Sequence, residues 1–251
     1  MQREIKLLDH GYVRVVETWG SDERIIEAAR MSTAKGFEGW GPKPVRVPSK
    51  LPSGGETIEM RAGDEKLLRF LWENAHATPF EMAGAIIEVQ APIFVFREWH
   101  RHRTQSYNEM SARYTPLPDV SYMPTVDRCL VVNGANKQAN AIDGASSLTH
   151  AAALDWLEDV ARIYERCEAV YQKGLALGIP KEVARIVIPV GRYSRMRASA
   201  NLRNWLAFLT LRSDRNVGAQ WEIRQYGNAV HELLAPVFPR TLALFDEGAR
   251  R

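Results

Sequence analysis

The chain has 251 residues, 45% apolar and 25% charged, the balance of a folded globular protein and not of a disordered or fibrous one. Its two cysteines, Cys129 and Cys167, cannot build a secreted disulfide framework, and no apolar run reaches the ~18–20 residues of a membrane span. With no signal-peptide stretch at the start either, a soluble cytoplasmic protein is expected. The net charge of +3 hides a bias, 25 Arg against 8 Lys, toward the planar fork that pairs with phosphate and carboxylate.

In chain order, residues 12–19 are β-branched and aromatic and end at Gly20, which predicts a strand. Ser21 then caps a helix whose apolar positions run to about Met31. Residues 36–60 are dense in Gly and Pro and predict a long loop, a surface insertion. A helix follows over 64–75, then a strand over 81–90 and a helix that Pro92 opens and Arg103 ends. Residues 104–146 read as mostly irregular, with a short strand near 120–123. A long helix spans 147–177, with an apolar stripe at Leu154, Leu157, Ala161, Tyr164, Glu168 and Tyr171; Gly178 and Pro180 end it. A short helix over 181–188, a strand over 190–199 and helices over 201–212, 219–235 and 239–247 complete the chain. With no β-α-β alternation and no linker, the expectation is one α+β domain over 1–251, with a small, mostly antiparallel sheet and several helices.

The sequence has no G-x-G-x-x-G, P-loop, C-x-x-C or H-E-x-x-H, so metal is not expected and a dinucleotide loop of that type is excluded. His100 and His102 are two apart, which on a helix sets them on different sides. Both cysteines lie beside apolar residues, as inert thiols do. Arginine is concentrated instead: eight fall between 185 and 224, against Asp214 and Glu222. The densest polar stretch is 97–114, with four Arg, two His, an Asn and Glu109. A helix end tied by ion pairs is the plain explanation; a pocket for phosphate oxygens and a heterocycle is the sharper one.

Arg101-His102-Arg103, seven residues and then Ser111 form the R-H-R-x7-S signature that resembles the flavin-dependent thymidylate synthases. His76-Ala-Thr-Pro-Phe-Glu81 is similar to that family's H-x-T-P-F-E segment. The runs 184–189, 201–203, 208–212 and 220–223 are similar to its C-terminal half. The resemblance implies conversion of dUMP to dTMP, with 5,10-methylenetetrahydrofolate as carbon donor, FAD as hydride carrier and NADPH as its reductant. It also implies a homotetramer whose active sites are shared between subunits, and no cysteine nucleophile.

By resemblance, Thr78, Arg101, His102, Arg103, Glu109, Asn201, Leu202 and Arg203 contact FAD, and His76 lies beside the flavin and folate. The dUMP site would take Glu98, Trp99, His100 and Arg101, then Glu109, Met110, Ser111, Ala112 and Arg113, with Arg185 and Arg212. Ser111, Arg113 and Arg185 would hold the phosphate, and Arg212 would face the uracil. Three positions depart from the pattern: Glu98 stands where many relatives have Gln, Ala112 replaces a frequent Gly, and Ala207 replaces an Asn of some relatives.

Arg212 is the expected catalytic residue. Uracil C5 is a weak nucleophile, and a guanidinium beside O4 or N3 sets fixed positive charge where negative charge grows. Always protonated, it activates without accepting a proton. An ion pair at a helix C-terminus is the other reading of this residue. A reading from a different class is an Arg-rich nucleic-acid-binding protein, but the net charge is low for it and acids interrupt the arginines, so neither nucleic acid nor membrane is an expected partner.

Overall fold

The structure, a computed structural model, describes residues 3–49, 55–131, 139, 141 and 147–248. In chain order it runs β1 (Glu4–Leu7), β2 (Gly11–Trp19), α1 (Asp22–Arg30), β3 (Lys43–Pro48), β4 (Glu56–Arg61), α2 (Asp64–Glu73), a 3-10 segment (Thr78–Met82), β5 (Gly84–Pro92), α3 (Ile93–Trp99) and β6 (Ser106–Glu109). Then come α4 (Val126–Leu130), α5 (His150–Ala176), α6 (Lys181–Ala184), β7 (Tyr193–Asn201), α7 (Leu202–Arg212), α8 (Trp221–Leu234) and α9 (Pro239–Gly248). The α+β expectation holds. The larger sheet has the order β1-β2-β5-β7-β6, and its pairs β1–β2 and β6–β7 are antiparallel.

The chain gathers into two compact units, each from three stretches. The first takes 1–16, 86–199 and 208–230; the second takes 17–85, 200–207 and 231–251. The crossings fall inside β2, β5, β7, α7 and α8, which is why no linker composition marks them.

In the first unit, Trp99, Phe208 and Tyr226 are fully buried, and the Trp99 and Phe208 rings lie 4.5 Å apart. Such a ring pair contributes ~0.5–1.5 kcal/mol beyond the area it buries. Tyr226 donates to the Gln90 carbonyl at 2.9 Å. A Cβ at Gly11 would fall 2.2 Å from that Tyr226 hydroxyl, so only glycine fits there.

Buried carboxylates organise the second unit. Ser21 caps α1 by accepting from Arg24 N–H. Asp22 then accepts from Thr241 Oγ1 at 2.6 Å and Arg240 N at 2.7 Å, which fixes the start of α9. Burial raises the Asp22 pKa, and these hydrogen bonds act against that. Asp64 accepts from Arg30, and from the backbone N–H of Glu38 at 2.7 Å and Gly39 at 3.2 Å, so it clasps the loop after α1.

Several expectations are corrected. The long loop expected over 36–60 is corrected among the described residues: β3 and β4 pair antiparallel, from Lys43–Arg61 to Pro48–Glu56. Pro44 and Pro48 fit because each strand of a two-stranded ribbon is an edge, where a missing N–H costs little. Within 104–146, β6 and α4 are ordered, while 132–138, 140 and 142–146 lie outside the described residues. The strand expected near 120–123 is one bridge, Ser121 to Arg192. The buried stripe of α5 begins at Ala153, and Leu154 faces water, so the stripe is one position out of phase at its start. Pro92 ends β5 and caps α3, and that helix stops at Trp99. β1 was not anticipated.

Candidate active site

The polar stretch begins on α3 in the first unit. Val95, Phe96 and Trp99 bury its inner side and leave Glu98 half-buried at its last turn. Beyond the helix the chain turns twice: His102 N–H donates to the Trp99 carbonyl at 3.0 Å, and Gln105 N–H to the His102 carbonyl at 3.2 Å. Tyr107 on β6 pins the loop by donating to the His102 carbonyl at 2.6 Å. Burial pushes its hydroxyl up to about 12, so it stays a donor. The signature therefore alternates: His102 turns inward, while Arg101 and Arg103 are exposed and make no ion pair among the described residues.

His102 meets the end of α7. Arg212 Nε donates to His102 Nε2 at 3.2 Å, and Arg212 Nη1 to Glu98 Oε2 at 2.5 Å. Because Nε2 accepts, the neutral ring carries its proton on Nδ1. Burial, and then the charge of Arg212, push His102 down to about 4. The ion pair that was the other reading of Arg212 is thus present. It does not use up either partner, since Arg212 Nη2 and Glu98 Oε1 make no hydrogen bond among the described residues. The helix end is held by close packing: a Cβ at Gly227 of α8 would lie 2.0 Å from the Arg212 carbonyl oxygen.

The two histidines serve different neighbours. His100 Nε2 lies 3.1 Å from Met196 Sδ, and its ring contacts Phe96 and Tyr107. Among the described residues no group of His, Cys, Asp and Glu is placed to hold a metal ion.

Glu109 ends β6 opposite Met196, and Met110 N–H donates to the Arg195 carbonyl at 2.7 Å. Ser111 Oγ accepts from Arg113 N–H at 3.3 Å, and Ala112 is buried. Arg113 reaches Glu182 of α6 at 3.4 Å, and Lys181 donates to the Tyr114 carbonyl at 2.9 Å. These contacts bring the Ser111–Arg113 turn to α6, whose C-cap is the exposed Arg185. Glu182 and Tyr107 were not anticipated; neither residue carries a signal until the chain is folded.

The remaining predicted residues belong to the second unit. Arg203 pairs with Glu81 at 2.5 Å, and Leu202 N–H donates to the Ala83 carbonyl at 2.7 Å. The H-x-T-P-F-E-like segment and the start of α7 therefore meet. Asn201 Oδ1 accepts from Asn204 N–H at 3.0 Å and caps α7. Leu202, like Trp99 in the first unit, is fully buried, so neither offers its side chain to a ligand from within its unit. His76 and Thr78 are exposed, with the His76 ring 5.5 Å from Phe70.

Two features lie apart from these residues. Cys129 and Cys167 are free thiols, and burial raises the Cys129 pKa, which keeps it protonated. A cleft of about 520 Å³ beside α5 is lined by Asp119, Tyr164, Glu165 and Glu168 and holds none of the predicted site residues. Its carboxylates disfavour a phosphate. No described helix is long and apolar enough to cross a membrane.

Against known proteins, the family described as thymidylate synthase complementing protein matches residues 14–240. The flavin-dependent thymidylate synthase of Thermosipho africanus is 36% identical over 242 residues, covering 96% of this chain and 93% of that protein. That of Thermus thermophilus is 35% identical over 243 residues, covering 97% and 78%. A crystal structure of the UMP/dUMP methylase PolB from Streptomyces cacaoi, bound with 5-Br dUMP, superposes with a TM-score of 0.75 at 29% identity. It covers 98% of this chain and 99% of that one. The match across most of the chain, together with the placed signature residues, assigns this protein to the flavin-dependent thymidylate synthase family.

Proposed function

We propose that this chain methylates dUMP to dTMP, taking the carbon from 5,10-methylenetetrahydrofolate and the hydride from FAD reduced by NADPH. The observation that carries this reading is Arg212, held between Glu98 and a neutral His102 with donor capacity left over. A permanent cation fixed this way stabilises negative charge on a uracil ring without reorganising during attack. Ser111, Arg113 and Arg185 hold the phosphate. The Arg113–Glu182 pair is exposed and contributes ~0–1 kcal/mol, little enough for a phosphate to displace it. Met110 and Ala112 contribute main chain, and Trp99 and His100 shape the wall beneath Arg101.

The donor set fits FAD. Arg101 and Arg103 present guanidiniums with no internal carboxylate among the described residues, as a diphosphate needs. Glu109, His76, Thr78, Asn201, Arg203 and the Leu202 backbone supply the further hydrogen bonds, with the neutral His102 offering its Nδ1–H as a donor. When bound, FAD supplies the hydride that converts the transferred one-carbon unit to methyl.

A homotetramer with shared sites is part of the proposal. Trp156, Ile163 and Val170 are exposed at seven-residue steps on α5, an apolar stripe suited to another copy.

The test is a full reaction. The purified protein should be yellow, bleach with NADPH and form dTMP only with dUMP and methylenetetrahydrofolate present. A colourless protein with salt-sensitive RNA binding would sink the proposal in favour of the nucleic-acid reading. Because PolB is a UMP/dUMP methylase, UMP is assayed in parallel.

A further inference from the structure

We infer that Arg192, a buried arginine outside the proposed site, is a positioning residue for the phosphate turn: it anchors the far end of a proline strap that keeps Ser111–Arg113 in place. This rests on the proposal that the turn holds the phosphate of dUMP. Arg192 lies just before β7, and its side chain is 1% exposed. A guanidinium that deep needs acceptors, and it has three. Nη2 donates to Glu168 Oε2 of α5 at 2.5 Å. Nη1 lies 3.0 Å from the Pro118 carbonyl and 3.0 Å from Asp119 Oδ1. The main chain on either side is joined to the same loop: Tyr193 N–H donates to the Val120 carbonyl at 3.0 Å, and Tyr122 N–H to the Gly191 carbonyl at 2.8 Å. The Arg192 carbonyl accepts from the N–H of Ile93, the first residue of α3, at 3.0 Å. One residue thus ties the loop after the phosphate turn to α5 and to the helix that leads into the signature.

The connection from Arg192 to the turn is short and stiff. The Ser111 carbonyl accepts from Tyr114 N–H at 3.0 Å and from Thr115 N–H at 3.2 Å, which closes the turn. The chain then leaves it as Pro116-Leu117-Pro118. Proline fixes its own φ and restricts the residue before it to extended backbone, so each position from Thr115 to Pro118 has little freedom. Cations grip both ends of this strap. Lys181 Nζ donates to the Tyr114 carbonyl at 2.9 Å, and Arg192 Nη1 to the Pro118 carbonyl. The Lys181 grip is exposed and the Arg192 grip is buried, so the second is the firmer hold. A buried ion pair adds little net stability over apolar packing, so what this one supplies is geometry. A strap fixed at both ends keeps the turn ordered before the ligand arrives, which lowers the cost of ordering Ser111 and Arg113 on binding.

The experiment measures the affinity of flavin-loaded protein for dUMP and deoxyuridine by calorimetry, in wild type, Arg192→Met, Arg192→Lys and Pro116→Gly. Arg192→Met removes the grip without leaving a buried charge. Pro116 is exposed, so Pro116→Gly loosens only the strap and keeps every contact of Arg192. Both should weaken dUMP about 3- to 10-fold, the range of re-ordering one side chain on binding, and leave deoxyuridine unchanged, since it has no phosphate for the turn to hold. Arg192→Lys should lose less, because an ammonium can still donate to the Pro118 carbonyl but cannot serve Glu168 as well. At saturating dUMP, kcat should stay within about twofold, because a phosphate contact is the same before and during attack. Damage to the fold would instead weaken both ligands and lower flavin occupancy. A Pro116→Gly protein that keeps the wild-type dUMP:deoxyuridine ratio overturns the inference and leaves the enzyme reading standing. So does either Arg192 variant, folded and with that ratio unchanged. Wild-type protein that binds dUMP no more tightly than deoxyuridine overturns the phosphate turn and the inference with it.

Discussion

Both units pair arginines with carboxylates, Arg128 with Glu222 and Arg192 with Glu168 in the first, but among the predicted site residues they differ. In the first, Arg101, Arg103 and Arg185 face water without carboxylate partners among the described residues, and Arg212 is held but not saturated. In the second, Arg30 is tied to Asp64 and Glu38, Arg203 to Glu81, and Arg240 to Glu65. An unpartnered guanidinium keeps its full charge for an arriving anion, whereas a paired one mainly fixes chain geometry. On the proposed reading, these three arginines of the first unit are the ones left to meet phosphate. The second positions hydrogen-bonding groups on a scaffold of internal ion pairs.

The largest expected effect tests the held arginine. Arg212→Lys keeps the charge but loses the planar fork that meets Glu98 and His102 together. If Arg212 stabilises charge on uracil, kcat at saturating dUMP should fall ~10²- to 10³-fold while NADPH still reduces the flavin. An unchanged kcat with a raised KM would make it an anchor only.

Next, the contrast between units is tested by one substitution in each. Arg113→Ala should weaken dUMP about 10- to 100-fold and leave deoxyuridine nearly unaffected, since only the nucleotide carries the phosphate. Arg203→Ala should weaken FAD, by about tenfold at most because Arg203 already spends a donor on Glu81, and leave dUMP alone. Titrations in which both variants lose the same ligand would erase the distinction.

A smaller effect comes from packing. Gly227→Ala places a methyl group against the Arg212 carbonyl, and one of the two helices must yield. Overpacking of this kind costs ~1–3 kcal/mol. Thermal denaturation should show that loss, and kcat should fall with it as the guanidinium moves off Glu98. Full stability would mean that α7 has room to shift.

The sequence made some of this legible, and physical reasons separate the parts that were from those that were not. Periodicity over 12–19, 21–31 and 64–75 found β2, α1 and α2 because their patterns are local. The hairpin was hidden: Lys43-Pro-Val-Arg-Val-Pro48 alternates as a strand should, but its prolines and the nearby glycines are stronger turn signals. The R-H-R-x7-S spacing located the loop that Tyr107 pins. The Glu98–Arg212 pair could not be read, since the partners are 114 positions apart and only the meeting of α3 and α7 joins them. The sequence offered Glu98 as a dUMP-site position and a departure from Gln, but not as the partner of the residue expected to do the chemistry.

The last prediction concerns acid. His102 is pushed down to about 4 from an ordinary 6.5, first by burial and then by Arg212. Between those values the unfolded chain binds a proton that the folded chain refuses, so protonation favours unfolding. The folded protein should therefore be at full strength on this account above pH 6.5 and lose stability as pH falls toward 4. Below about 4 the folded ring also protonates, Nε2 stops accepting, and the hold on Arg212 Nε is lost. His102→Asn has no such proton to refuse, and its amide oxygen can still accept. Its stability should fall less steeply over that window, by up to ~1.4 kcal/mol per pH unit, the slope of one proton. Denaturant melts of both proteins at pH 7, 6, 5 and 4.5 measure this, and parallel curves would mean that His102 is protonated as easily in the fold as in the open chain.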